Sequence, residues 1–271
     1  MRPSPLAQFV ALAGESVRDA VRRRIAIALA ALSLLSLLAV DSCTACGSGS
    51  FVVNGQPFDA SRLFGWTGMI LYALVALWSV ALSGALASDH LEQTLADGSA
   101  LLALARPVAR GTFALARLAG ALAVSFGTGA VLLAGTAFFL RARYGLALGP
   151  AVLAAACAAL SAIAVGALAM TASLFLPRLA TIALVFAGVV AIAASNVAGL
   201  AGAELAPIWE ALHRFGPPIG SGLALAVSAW TGRELPASPG LVLARLALWA
   251  TFAPALLTVA FRRVDLGRAR A

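Results

Sequence analysis

The sequence predicts an all-α membrane protein with six transmembrane helices, and three observations lead there. Of its 271 residues, 62% are hydrophobic and only 11% charged, against about 25% charged in an ordinary soluble domain. The apolar excess is spread in leucine- and alanine-rich runs over the whole length, so it is not one signal or anchor. Six charge-free runs approach the roughly 20 residues that a helix rising 1.5 Å per residue needs to cross about 30 Å of hydrocarbon.

The first element precedes the spans. Over about residues 5–22, Leu6, Phe9, Val10, Ala13, Val17, Ala20 and Val21 recur at three- and four-residue steps, with Glu15, Arg18, Asp19 and Arg22 mostly opposite. This periodicity predicts an amphipathic helix lying in the cytoplasmic interface, although a plain helical extension of the first span shares the pattern.

The spans follow at about 24–40, 63–87, 118–140, 151–176, 179–202 and 241–261, so that the whole chain, 1–271, reads as a single domain. The first is the shortest and reaches full length if Arg22, Arg23 and Arg24 snorkel to the interface. A cleaved signal peptide is the weaker reading, because the exit Ala39-Val40-Asp41-Ser42-Cys43 has no A-x-A site. Only Pro177 and Arg178 separate the fourth and fifth spans, which predicts a tight turn between antiparallel neighbours. In the fourth, Ala154, Ala158, Ala162 and Gly166 stack one small-residue ridge suited to close helix packing. Cys157, in the same span, reads as a small packing residue.

Before the last span, residues 203–240 contain an apolar stretch from Gly220 to Trp230, bracketed by Pro217, Pro218, Pro236 and Pro239. Eleven residues are too few to cross but apolar enough to insert, so the segment reads as a possible re-entrant element on the outer side. A surface helix over the outer mouth is the plain alternative. Five tryptophans, Trp66, Trp78, Trp209, Trp230 and Trp249, read as depth anchors.

Arginine placement predicts orientation. With the N-terminus inside, 13 arginines fall on the cytoplasmic side and 6 on the other, as the positive-inside rule favours. The chain is then a multi-pass protein of the plasma (inner) membrane with both termini cytoplasmic. The net charge of +8 is absorbed by this flanking role, and no nucleic-acid partner is inferred.

All 19 basic residues are arginine. Without a lysine there is no Walker A phosphate loop and no Schiff-base amine. No H-E-x-x-H or G-x-S-x-G motif occurs, and Glu204 and Glu210 do not share a helical face. The chain therefore reads as a non-enzyme with no cofactor. No ionisable residue stands in the middle of any span, so any uphill transport would draw its energy from outside the bilayer.

Between the second and third spans runs the segment Ser88 to Arg110, with Asp89, Glu92 and Asp97-Gly98 first, then Leu101-Leu102, then Arg106-Pro107 and Arg110. This order predicts a short cytoplasmic helix bounded by a turn at Pro107, a rigid docking element for a cytoplasmic partner.

That segment resembles the first cytoplasmic loop of the ABC-2 type permeases, which runs acidic cluster, Gly-Thr, Leu-Leu, then Pro-Val-Ser-Arg. The matching positions are Asp97-Gly98-Ser99, Leu101-Leu102 and Pro107-Val108-Ala109-Arg110, with Ser99 for threonine, Ala109 for serine and Arg117 where lysine is common. The interfacial helix, six spans and the long outer segment extend the resemblance over the whole chain. It implies a permease subunit of an ABC exporter, paired with a second permease subunit as a homo- or heterodimer and with separate ABC ATPase subunits, among membrane lipids. Asp89, Glu92, Asp97, Gly98, Arg106, Pro107 and Arg110 would form the ATPase-coupling loop. A membrane scaffold or assembly factor that docks a partner at the same loop without transport is the competing expectation.

Cys43 and Cys46 form a C-x-x-C on the predicted outer side, where an oxidising exterior favours a disulfide over two thiols or a metal site.

Overall fold

The computed structural model describes residues 4–22, 51–53, 56–58, 60–96, 98–105, 108–232 and 238–264. The predicted first span, 24–40, and the Cys43–Cys46 pair lie outside them, as do Asp97, Arg106 and Pro107. In chain order the elements are α1 (Pro5–Arg22), β1 (Phe51–Val53), β2 (Gln56–Phe58), α2 (Ala60–Ala96), α3 (Ser99–Leu104), α4 (Arg110–Tyr144), α5 (Leu148–Ala172), α6 (Arg178–Leu200), α7 (Pro207–Phe215), α8 (Ile219–Thr231) and α9 (Pro239–Arg263). The described residues are helical apart from one hairpin, antiparallel with Phe51 opposite Phe58, Val52 opposite Pro57 and Val53 opposite Gln56. The sequence between its strands is Asn54-Gly55, the dipeptide that tight hairpin turns favour.

Among the described residues five helices, α2, α4, α5, α6 and α9, are long and apolar enough to cross a membrane. Each extends beyond or shifts from its predicted run. The largest difference is α2, whose 37 residues carry helix through Ser88–Ala96. Nothing in that stretch breaks a helix until Gly98, which turns in the left-handed region at φ 75°. Asp89 and Glu92 therefore stand on the end of a spanning helix, and the short separate helix of the segment is α3 alone. At the far end of α4, Gly145 closes the helix at φ 67° and donates its N–H to Arg141 O at 2.9 Å.

Helix α5 is the centre of the bundle. Its ridge residues Ala154, Ala158, Ala162 and Gly166 are buried, and it packs most extensively against α2 and α9. A Cβ on Gly166 would meet Leu122, Ala87 and Leu118 at ordinary contact distance or slightly under. On α2, a Cβ at Gly84 would lie 2.7 Å from Val185 and 2.9 Å from Val165, so glycine there lets α2, α5 and α6 meet at one level. Sequence adjacency does not make α5 and α6 close partners: after the Ser173–Pro177 turn, α6 packs mainly on α2 and α8. The small face of α5 is already occupied by α2.

Helix α8 enters between α5 and α6 and buries Ile219, Gly220, Leu223, Leu225 and Ala226. Its N–H at Gly220 donates to Asn196 Oδ1 at 3.2 Å. A Cβ on Gly220 would come within 2.5 Å of Ala193 O. Arg245 of α9 donates to the carbonyls of His213, Arg214 and Gly216 at 3.1, 3.0 and 3.1 Å, and so closes the C-terminal end of α7 with a cation. Trp230 donates to Ala147 O at 2.8 Å and meets Tyr72 edge-on at 5.3 Å. This tryptophan ties α8 into the core.

Candidate functional site

The expected coupling segment comes to lie where α1, α2, α4, α6 and α9 converge, at the end of the bundle that carries Arg110, Arg117, Arg178, Arg262 and Arg263. The apolar foundation is local. Leu91, Phe113, Leu118, Met170, Leu257 and Phe261 form one buried cluster, with Phe113 and Phe261 stacked at 5.9 Å. Ala100 of α3 is buried in it, and Leu95, Ala103, Leu104 and Val108 pack partly against it. Leu91, Leu95, Ala100, Ala103, Leu104 and Val108 therefore fasten the described parts of the segment to the bundle.

Two consecutive residues of α2 point polar groups in different directions. Asp89, 10% exposed, receives Arg178 Nε at 2.6 Å, and both its oxygens accept from Gln93 Nε2, at 3.1 and 3.0 Å. Arg178 opens α6, where the partial positive charge of the helix start already favours an anion. His90, also buried, bonds Ser16 of α1 through Nε2. Arg117 Nη1 lies 3.4 Å from the same nitrogen and 3.4 Å from Asp19 Oδ2. The Arg117 guanidinium also sits over the Phe113 ring at 5.3 Å, and Ser16 donates to Arg117 O at 3.4 Å. Thr94 hands its hydroxyl proton back to His90 O at 2.6 Å.

Through this network α1 is clamped to α4. The crossing is close enough that a Cβ on Gly120 would collide with Ser16, itself fully buried. The protein-facing side of α1 is thus Leu12, Ala13 and Ser16, displaced from the centre of the predicted apolar stripe. Leu6 and Val10 of that stripe remain 74% and 62% exposed, so α1 has one face for the bundle and an adjoining apolar face that is uncovered among the described residues.

The expected site residues do not behave alike. Asp89 is buried and satisfied within the chain, so it presents no free charge to a docking partner. Glu92 is half-buried, with Oε2 enclosed and unpartnered among the described residues. Arg110 is exposed and donates to Arg262 O and Val264 O at 3.4 and 3.2 Å; Gly98 supplies the turn between α2 and α3. Asp97, Arg106 and Pro107 are outside the described residues. Sequence alone assigns no site role to Ser16 or His90, and it reads Arg117 only as the counterpart of a common lysine and Arg178 only as part of the turn between two spans; His90 beside Asp89 is the available signal.

No group of His, Cys, Asp and Glu suited to a metal ion occurs among the described residues. Cys157 is buried beside Val242 and Leu246 of α9, as a packing residue. Comparison with family models, curated proteins and solved structures finds no match for this chain. Its composition and five apolar helices define a helical, multi-pass membrane protein.

Proposed function

We propose that this chain is the permease subunit of an ATP-driven ABC exporter of the ABC-2 type, driven by a separate ATPase subunit and paired with a second permease. The observation that best supports this reading is the junction at Asp89 and His90. A push on the segment 88–110 would be delivered at once to α6 through Arg178, and to α1 and α4 through Ser16 and Arg117. Rigid polar joints between a peripheral segment and several spans suit a part that receives a mechanical stroke. The absence of lysine agrees, since phosphate-loop chemistry would sit on the partner. On this reading the predicted first span, 24–40, completes a set of six with the five apolar helices, both termini are cytoplasmic in the inner membrane, and α7 with α8 forms the re-entrant outer element.

The test is ATP-dependent movement of substrate into vesicles holding this chain and its ATPase, against the same vesicles with an ATPase that cannot hydrolyse ATP. Transport only with the active ATPase is expected. Partner association without any nucleotide-dependent movement would replace the reading with a scaffold. For the docking step, charge reversal at Glu92 is the informative variant, because reversal at Asp89 would first break a contact within the chain.

A further inference from the structure

We propose that the junction of α4 and α9 is a binding site for the phosphate headgroup of an anionic membrane phospholipid. Arg110 and Arg262 are far apart in sequence, yet Arg110 donates into the terminal carbonyls of α9 while the Arg262 guanidinium lies over the start of α4. The approach is close: a Cβ on Gly111 would stand in van der Waals contact with that guanidinium, 3.4 Å from Arg262 Nη2 and 3.6 Å from its Nε. Arg263 follows on the same helix end, and all three arginines are exposed. Among the described residues, neither Arg262 nor Arg263 has a carboxylate within ion-pair distance, and Arg110 satisfies itself on carbonyls alone. Among the described residues, three cations so placed make a net positive site suited to an anion.

The neighbouring surface specifies which anion. Phe252, Leu256, Val259 and Arg263 follow at steps of four, three and four residues, and the first three are 52%, 37% and 45% exposed. One helix face thus runs from apolar to cationic at the end of a membrane span. That order matches an acyl chain below its phosphate, whereas a soluble phosphate would make no use of the apolar strip. Arginine suits the phosphate by its planar fork of donors.

The probe is an equimolar mixture of phosphatidylglycerol and phosphatidylcholine with identical acyl chains, supplied to the full-length protein in micelles. Retained lipid is counted by native mass spectrometry. Wild type should prefer phosphatidylglycerol, and Arg262→Gln with Arg263→Gln should reduce that preference by about fivefold per arginine removed. Arg262→Lys with Arg263→Lys keeps the charge and should keep most of the preference, which separates charge from misfolding. An unchanged preference in the glutamine variant would overturn the site. So would full competition by soluble glycerol phosphate at the same concentration, which would assign the arginines to a free phosphate. This outcome does not depend on whether the chain transports anything.

Discussion

Breaking the Asp89–Arg178 pair from either side should cost unequal amounts, and the inequality follows from burial. At 2.6 Å and an effective dielectric of about 20, the bare attraction is about 6 kcal/mol, much of it offset by desolvation of the carboxylate and by water around the guanidinium. Arg178 is 50% exposed and Asp89 10%. Asp89→Asn therefore leaves a cation that water can solvate, and should cost about 1 kcal/mol. Arg178→Gln leaves a buried carboxylate with Gln93 as its remaining side-chain donor, and should cost about 2–3 kcal/mol. Thermal unfolding of the purified protein, followed by helical circular dichroism, reads both, at about 2–4 °C per kcal/mol for a chain of this size. The double variant should lie close to Arg178→Gln minus the unpaired-charge penalty, giving a coupling well above the 0.3–0.5 kcal/mol at which independent sites add. Equal losses from the two single variants, or simple additivity, would refute the assignment of Asp89 as an internally satisfied carboxylate.

Other substitutions probe the remaining joints. Gly120→Ala should lift α1 from α4 and cost about 1–3 kcal/mol by overpacking, and Ser16→Gly in the same protein should relieve it; protease cleavage near α1 measures both. Gly220→Ala should displace α8 from α6 with a similar cost, read as a loss of thermal stability, since its methyl would crowd Ala193 O. Arg245→Ala removes three bonds to the end of α7 and should speed amide exchange across residues 207–216 while leaving α5 protected. Leu91→Ala opens a cavity in a fully buried position and should cost about 2–5 kcal/mol in the same unfolding measurement.

What the sequence by itself determined was the class and the segmentation. Charge-free runs of about 20 residues mark spans because the bilayer penalises every unpaired charge and backbone group, and that penalty acts on local composition. The runs at 63–87, 118–140, 151–176, 179–202 and 241–261 all fall largely inside observed helices, and the Ala154–Gly166 ridge is buried as its spacing suggests. The end of α2 was not legible in this way, since the charge-free run stops at 87 while the helix continues to Ala96 and Gly98 then turns in the left-handed region. The partners were settled only in three dimensions. Asp89 reads in sequence as a loop acid facing a foreign subunit, yet the packing of α6 against α2 brings Arg178 to it. Ser16 and Gly120 carry no pattern that announces each other across 104 residues of chain, and Arg110 meets the end of α9 only because α4 and α9 cross there. Helix formation in this chain is decided by hydrophobicity along a single segment, whereas the polar joints depend on which small-residue faces let two helices approach, and that is a property of pairs.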